Sequence, residues 1–316
     1  MRLVQEKGAD ASQEGVCMPR LQRLTLDSTL EATPRQIVDT PQLGGWLPGG
    51  SRVYVPYLPG SGLGQVLEGC QQLVAMGLLP VPHLPARALT SRARLNGLLQ
   101  ALAACGVRQL MLVAGDSDRV QGPYRDTLDL LESGLLAEQG FDQLGITGYP
   151  GGHPRIRPHQ LDDALRVKRE YARASGSRLW IVTQFDFDAQ TIGRWIDRLQ
   201  GAGDPLPIYV GIPGPTRLHQ LIGFAAQCGV GASTRLLRRR PSAARLLRTW
   251  TPDGLVQALL QHPESGEGGR IAGFHLYPFG GLRASVEWLQ RLRSESAQSV
   301  EVSPTRRPLA DGVSDA

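Results

Sequence analysis

The run Leu144-Gly145-Ile146-Thr147-Gly148-Tyr149-Pro150-Gly151-Gly152-His153-Pro154 decides the fold. A short apolar segment ends there in a polar knot built on Gly and Pro. Further on, Leu179-Trp180-Ile181-Val182 closes in the same way on Thr183-Gln184-Phe185-Asp186-Phe187-Asp188. A buried strand with polar turn residues at its C-terminal end is where barrel and open-sheet α/β enzymes keep their chemistry. Here two adjacent strands end in Tyr, His, Gln and Asp side chains able to bind and orient a polar ligand.

Outward from these two strands the pattern repeats. Apolar runs over Arg23 to Glu31, Arg52 to Tyr57, Val81 to Leu84, Gln109 to Ala114, Gln143 to Tyr149, Leu179 to Gln184, Ile208 to Ile212 and Ile271 to Tyr277 read as strands. The intervals between them carry helical periodicity, clearest over Leu63 to Met76, Arg94 to Cys105 and Leu161 to Ala174. Thr40-Pro41 and Gly44-Gly45 break the first interval early. The longest, after Ile212, holds apolar helical patterns over Leu218 to Gln227, Thr234 to Leu247 and Asp253 to Leu260. Strand–helix alternation of this kind implies an α/β protein, a (β/α)8 TIM barrel over residues 21–293. A loose polar arm over 1–20 and a disordered Ser/Pro/Glu/Arg-rich tail over 294–316 are expected to flank it.

With 316 residues, 41% of them hydrophobic, the chain can build such a barrel as a single domain. The net charge of +5 comes almost wholly from Arg, since Lys7 and Lys168 are the only lysines. Neither lies on a strand, which removes Schiff-base aldolase chemistry. Arg235 to Arg240 is interleaved with Leu rather than stacking aromatics, so it reads as a solvated helix face and nucleic acid is not an expected partner. Cys70, Cys105 and Cys228 fall in apolar helical patterns and read as buried, inert thiols; with Cys17 they show no metal-like spacing. No run reaches membrane-spanning length and the start lacks a signal-peptide core, so a cytosolic protein without a membrane partner is expected, its self-association left open.

A barrel gathers its site at the strand C-termini, which here carry Glu31, Tyr57, His83, Asp116, Tyr149 with His153, Gln184, and His275 with Tyr277. Glu31 and Asp116 place two carboxylates at one mouth, where burial is expected to raise at least one pKa toward general-acid use. Their plainer readings are an acid at a helix N-terminus and a turn cap. His83, His153 and His275 invite a metal, but no HxH pair or carboxylate cluster accompanies them and no metal is expected. Gly60-Ser61-Gly62-Leu63-Gly64 opens a helix without matching a phosphate-loop motif.

In order along the chain, Tyr149-Pro-Gly-Gly-His153-Pro, Lys168-Arg169, Thr183-Gln184-Phe185-x-Phe187-Asp188, Gly211-Ile212 and His275-Leu276-Tyr277 carry a resemblance. Glu31 before Pro34-Arg35, Pro82-His83-Leu84 and Gly115-Asp116 agree with it. Together they resemble the methylenetetrahydrofolate reductase family, over roughly residues 24–290. The resemblance implies an eight-stranded barrel that reduces methylenetetrahydrofolate to methyltetrahydrofolate, with FAD as cofactor and NAD(P)H as reductant. It implies that Glu31 is the general acid protonating folate N10 and that Asp116 stabilises the pterin cation. It further implies that Gln184 and Tyr277 meet the folate, and that Tyr57, His83, Asp116, Tyr149, His153, Asp162 and Arg169 line the flavin.

Four positions depart from the family's pattern. Ala114 stands where an arginine meets flavin phosphate, Glu170 where a basic residue follows Lys168-Arg169, and Pro56 where a hydroxyl residue precedes the tyrosine. The strand-eight motif runs to Gly281 without its arginine. These changes keep the folate side and erode the grip on FAD phosphates. Weak flavin binding, direct hydride transfer from nicotinamide, and a divergent or non-catalytic binder of a one-carbon carrier all remain open at this point.

Overall fold

A computed structural model describes residues 20–58, 62–115, 117–201, 206–230, 248–262 and 271–301. Asp116, the core of the Gly60 loop, the Thr234 to Leu247 pattern with Arg235 to Arg240, and the expected arm before residue 20 lie outside the described residues.

Eight parallel strands close into a barrel. In chain order the strands are β1 (Thr29–Glu31), β2 (Arg52–Val55), β3 (Leu79–Pro85), β4 (Gln109–Val113), β5 (Gln143–Gly148), β6 (Arg178–Thr183), β7 (Ile208–Pro213), the short antiparallel pair β8 (Thr216–Arg217) and β9 (Thr249–Trp250), and β10 (Ile271–Tyr277). The barrel order is β1-β10-β7-β6-β5-β4-β3-β2, so β10 pairs with β1 and completes the ring. In that seam Thr29 faces His275 and Leu30 faces Leu276, while on the other side Glu31 faces Tyr54.

Helices fill the intervals: α1 (residues 20–26), α2 (Pro34–Val38), α3 (Leu43–Trp46), α4 (Leu63–Ala75), α5 (Arg92–Ala104), α6 (Thr127–Glu132), α7 (Leu135–Glu138), α8 (Pro158–Ser175), α9 (Ala189–Gly201), α10 (Leu218–Gln227), α11 (Asp253–Leu260) and α12 (Leu282–Glu301). Local chemistry sets several of their ends. Thr33 and Gln36 form a reciprocal capping box before α2, and Pro34 occupies its first turn, where a missing N–H costs nothing. Pro158 likewise opens α8, and Gly176 ends it in the left-handed conformation.

Two expectations are corrected. The run Arg23 to Glu31 is a helix followed by a three-residue strand. Leu21 packs against the core and Leu24 lies in it, a helical spacing of three, and Ser28 Oγ donates to the Leu24 carbonyl where the helix stops. Of the tail expected to be disordered over 294–316, residues 294–301 are helical, with Ser296 buried, and the remainder lies outside the described residues. Cysteines also divide: Cys70 is buried, its thiol pushed up by desolvation, whereas Cys105 is half-buried and Cys228 is exposed just past α10.

One apolar layer lies between strands and helices; a second cluster, Tyr54, Val81, Met111, Trp180, Val182 and Tyr209, fills the barrel itself. Trp180 Nε1 donates to the Tyr54 hydroxyl at 2.7 Å, pairing two polar atoms that burial would otherwise leave costly. The indole needs space that β5 provides through Gly145, where a Cβ would lie 2.8 Å from Met111 Sδ and 2.9 Å from the Trp180 ring. Gly145→Ala is therefore expected to destabilise the barrel by about 1–3 kcal/mol, read from the denaturant midpoint, with secondary structure retained.

Helix α8 buries Lys168 at 8% exposure. Desolvation pushes its ammonium down to about 8, a fall that the Asp126 carboxylate only partly opposes. An unfolded lysine titrates near about 10.4, so the unfolded chain binds more protons between the two values. The cost of the buried charge is thus fully present below about pH 8 and fades as pH rises toward the unfolded value. Lys168→Met should stabilise the protein at pH 7, by up to about 3 kcal/mol, and by clearly less at pH 10. Denaturant titrations of both proteins at the two pH values check this.

Candidate active site

Glu31 ends β1 at the mouth of the barrel, with its side chain 20% exposed. Two imidazoles from strands on either side converge on the same carboxylate oxygen: His83 Nε2 lies 3.8 Å and His275 Nε2 3.7 Å from Glu31 Oε2. These are ion-pair separations, longer than a formed hydrogen bond. His83 comes from β3 and keeps 17% exposure, whereas His275, on β10, keeps only 1%. Tyr54 stands edge-on to both rings, its centroid 6.5 Å from His83 and 4.6 Å from His275.

Burial works to raise the Glu31 pKa. The contact with His275 and the positive charge that His83 and His275 can carry outweigh it, and the carboxyl is held below the ordinary glutamate range. Of the two carboxylates expected at the mouth, Glu31 is thus not the one whose pKa burial raises, because two imidazoles stabilise its carboxylate form; Asp116 lies outside the described residues.

Tyr277 continues the cluster from β10, edge-on to His275 at 4.7 Å. Its hydroxyl donates to the Thr183 carbonyl at 2.9 Å, and burial, with Glu31 nearby, raises its pKa well above the ordinary tyrosine value. What Tyr277 can offer a ligand is therefore its ring rather than a free phenol. Beyond it Phe279 and Phe224 stack at 4.5 Å, with Phe185 edge-on to both Tyr277 and Phe279. Gln184 follows β6, half-buried, its Oε1 accepting from the Phe185 N–H at 3.0 Å.

The Gly-rich knot after β5 has a physical reason for each glycine. A Cβ on Gly151 would lie 2.6 Å from Asp186 Oδ2, and Gly152 has φ of +82°. Asp186 in turn caps the β6 loop, accepting from the N–H groups of Phe187 and Asp188. Tyr149 and His153 stand edge to face at 4.9 Å. His153 Nδ1 accepts from the Arg155 N–H, and burial, then Arg155 and Arg87, lower its pKa. Arg155 pairs with Asp118, joining the loops after β4 and β5. Arg87 fastens the β4 loop, donating to the carbonyls of Ser117 and Arg125.

The sequence-expected residues thus separate into groups. Glu31, His83, His275 and Tyr277 meet; Tyr149 and His153 pair in the β5 loop; Tyr57 packs half-buried against the outer core. Asp162 and Arg169 line a cavity of about 400 Å³ between α8 and α9, with Arg173, Arg198 and Leu199, and no strand-end residue forms its walls. Among the described residues no group of three His, Cys, Asp or Glu side chains is arranged to hold a metal ion. Thr29, Tyr54 and Arg87 were not singled out from the sequence. Alternation along Arg52-Val53-Tyr54-Val55 carried the signal for Tyr54, which points into the barrel with Arg52.

The chain is 30% identical to the 5,10-methylenetetrahydrofolate reductase of Pectobacterium carotovorum subsp. carotovorum over 155 residues, 49% of this chain and 50% of that protein. It is 31% identical to that of Salmonella typhimurium over 166 residues, 52% of this chain and 53% of that protein. The chain thus spans about half the length of these curated relatives. A solved structure titled as an uncharacterized protein from Clostridium thermocellum that binds two copies of 5-methyl-5,6,7,8-tetrahydrofolic acid superposes with a TM-score of 0.51. That match has 11% identity, covers 86% of this chain and 95% of the other, and speaks for the barrel fold alone. The model of the methylenetetrahydrofolate reductase family matches residues 66–287, most of the barrel, and with that match the chain belongs to this family.

Proposed function

We propose that this protein reduces 5,10-methylenetetrahydrofolate to 5-methyltetrahydrofolate, with NAD(P)H as the reductant. The observation that carries the reading is the carboxyl of Glu31, open to the barrel mouth and held between the imidazoles of His83 and His275. Ring opening needs a proton on the folate N10 as its bond to the methylene carbon breaks. The iminium left at N5 then takes a hydride from C4 of the dihydronicotinamide, so one proton and one hydride are consumed and NAD(P)+ is released. Glu31 and its imidazoles are the group that can supply the proton. Gln184 and the Tyr277 ring would meet the folate, and Asp116 would stabilise the cation.

FAD is the family's cofactor, and the residues at its phosphate positions do not fit it. Ala114 offers no cation, and the Lys168 amine is buried in α8. Arg169 donates to the Leu199 carbonyl, and Glu170 adds an acid, paired with Arg166 at 2.9 Å. Bidentate arginine contacts are the strong way to hold a diphosphate, and here Arg166 and Arg169 are engaged within the protein. Direct transfer from nicotinamide to folate is therefore the form of the reaction we favour.

Anaerobic oxidation of NADH and of NADPH with methylenetetrahydrofolate, by flavin-free protein with and without added FAD, tests both parts. Turnover that added FAD leaves unchanged is expected; turnover only with FAD would overturn the direct route. Absence of turnover under all conditions, with folate still bound, would leave a non-catalytic folate-binding barrel. Glu31→Gln should lower kcat by about 10²–10⁴-fold while folate affinity stays near wild type. Unchanged turnover in that variant would remove Glu31 from its assigned role.

A further inference from the structure

His275 is buried to 1% exposure, yet it carries a titratable ring and lies against the acid of the site. Its partner on the far side is a hydroxyl, Thr29 Oγ1, 2.8 Å from Nδ1. Thr29 and His275 are register partners across the β1–β10 seam, so backbone pairing fixes the contact. The choice of a hydroxyl has a chemical consequence. A carbonyl at this position could only accept, and a backbone N–H could only donate. A threonine hydroxyl donates to Nδ1 of the neutral ring and accepts from Nδ1–H of the imidazolium. Either protonation state of the ring therefore finds a partner at Nδ1, so neither leaves that buried atom unsatisfied.

A carboxylate at Glu31 can only accept, so the neutral ring carries its hydrogen on Nε2, the atom turned toward Glu31 Oε2, and Nδ1 is left to accept from the Thr29 hydroxyl. His83 approaches the same oxygen from the wetter side. Among the described residues the other ionisable groups around His275 are Tyr54 on β2 and Tyr277 on β10. Both phenols are engaged, Tyr54 by Trp180 and Tyr277 by the Thr183 carbonyl, and burial keeps both protonated at neutral pH. They supply no competing charge.

We infer that His275, tethered by Thr29, is a positioning residue that keeps the reaction's proton at Glu31, so that the acid is a carboxylate–imidazole cluster rather than a lone protonated glutamate. This rests on the reading of Glu31 as the acid. Its role resembles the orienting partner of a nucleophile–histidine pair, with carboxylate and hydroxyl together fixing the tautomer and the ring serving the carboxylate.

Two measurements on the full-length protein test it, one independent of turnover. The first is the ¹⁵N spectrum of the histidine rings in wild type, Thr29→Val and Thr29→Ser. The Nε2–H form of His275 is expected in wild type and Thr29→Ser, with a mixture of tautomers in Thr29→Val. The second is kcat and KM against pH. Thr29→Val should lose about tenfold in kcat, the worth of one hydrogen bond, with KM little changed and the pH profile of kcat displaced. Thr29→Ser should restore both, which separates a lost hydroxyl from a packing defect. Wild-type tautomer and wild-type kcat in Thr29→Val would overturn the inference, as would a Thr29→Ser variant as impaired as Thr29→Val. If wild-type protein shows no turnover, the reductase reading fails, while the spectra still decide whether Thr29 sets the tautomer of His275.

Discussion

Closure of the barrel between β1 and β10 is the constraint on which the rest of the molecule depends. A parallel sheet leaves two edges of unpaired backbone groups unless its first and last strands meet. Here they meet over Thr29↔His275 and Leu30↔Leu276, and the same pairing sets the chemistry. Strand alternation then turns Thr29, Glu31, His275 and Tyr277 inward together, while Leu30 and Leu276 point to the helical layer. The hydrogen bond that orients the imidazole and the pairing that closes the sheet are made by the same two residues.

The interior explains why the mouth is shaped as it is. Trp180 and Tyr54 plug the barrel below the site and satisfy each other's polar atoms. Space for the indole is opened by Gly145, a glycine whose reason is close packing rather than backbone freedom. Above this plug the carboxyl of Glu31 faces outward, so a ligand approaching it is stopped from passing deeper. At the rim, Gly151 lets the β5 loop lie close over Asp186 of the β6 loop, and Arg87 and Arg155 tie down the loop after β4.

Much of this was legible in the sequence, and the failures have physical causes. Strands β2 to β7 and β10 announce themselves as apolar runs closing on Gly, Pro or polar residues, since strands buried on both faces have little choice of composition. The Arg23 to Glu31 run misled because its apolar residues suit a helix for its first half, and a three-residue strand is too short to show a period. Residues 294–301 misled because a polar helix with one buried stripe has the composition of a disordered segment. Glu31, His83 and His275 could each be placed at a strand end, but not against one another. Their convergence depends on register between strands at opposite ends of the chain, as does the Thr29–His275 bond across 246 positions. That Glu31 is held as a carboxylate depends on the same convergence: burial can be guessed from sequence, the identity of the neighbours cannot.

The brevity of β1 has a consequence for how the protein would lose its activity. The seam that shuts the ring is its shortest strand, three residues long, and it carries two of the chemical groups. Short, lightly bonded segments open locally at lower free energy than the strands around them. An excursion that unzips this seam would part threonine from imidazole and swing the carboxyl away, while the other seven strands stay folded. Turnover by the proposed reaction would therefore report on a single joint, and heat should silence the site at a temperature where most of the structure still stands.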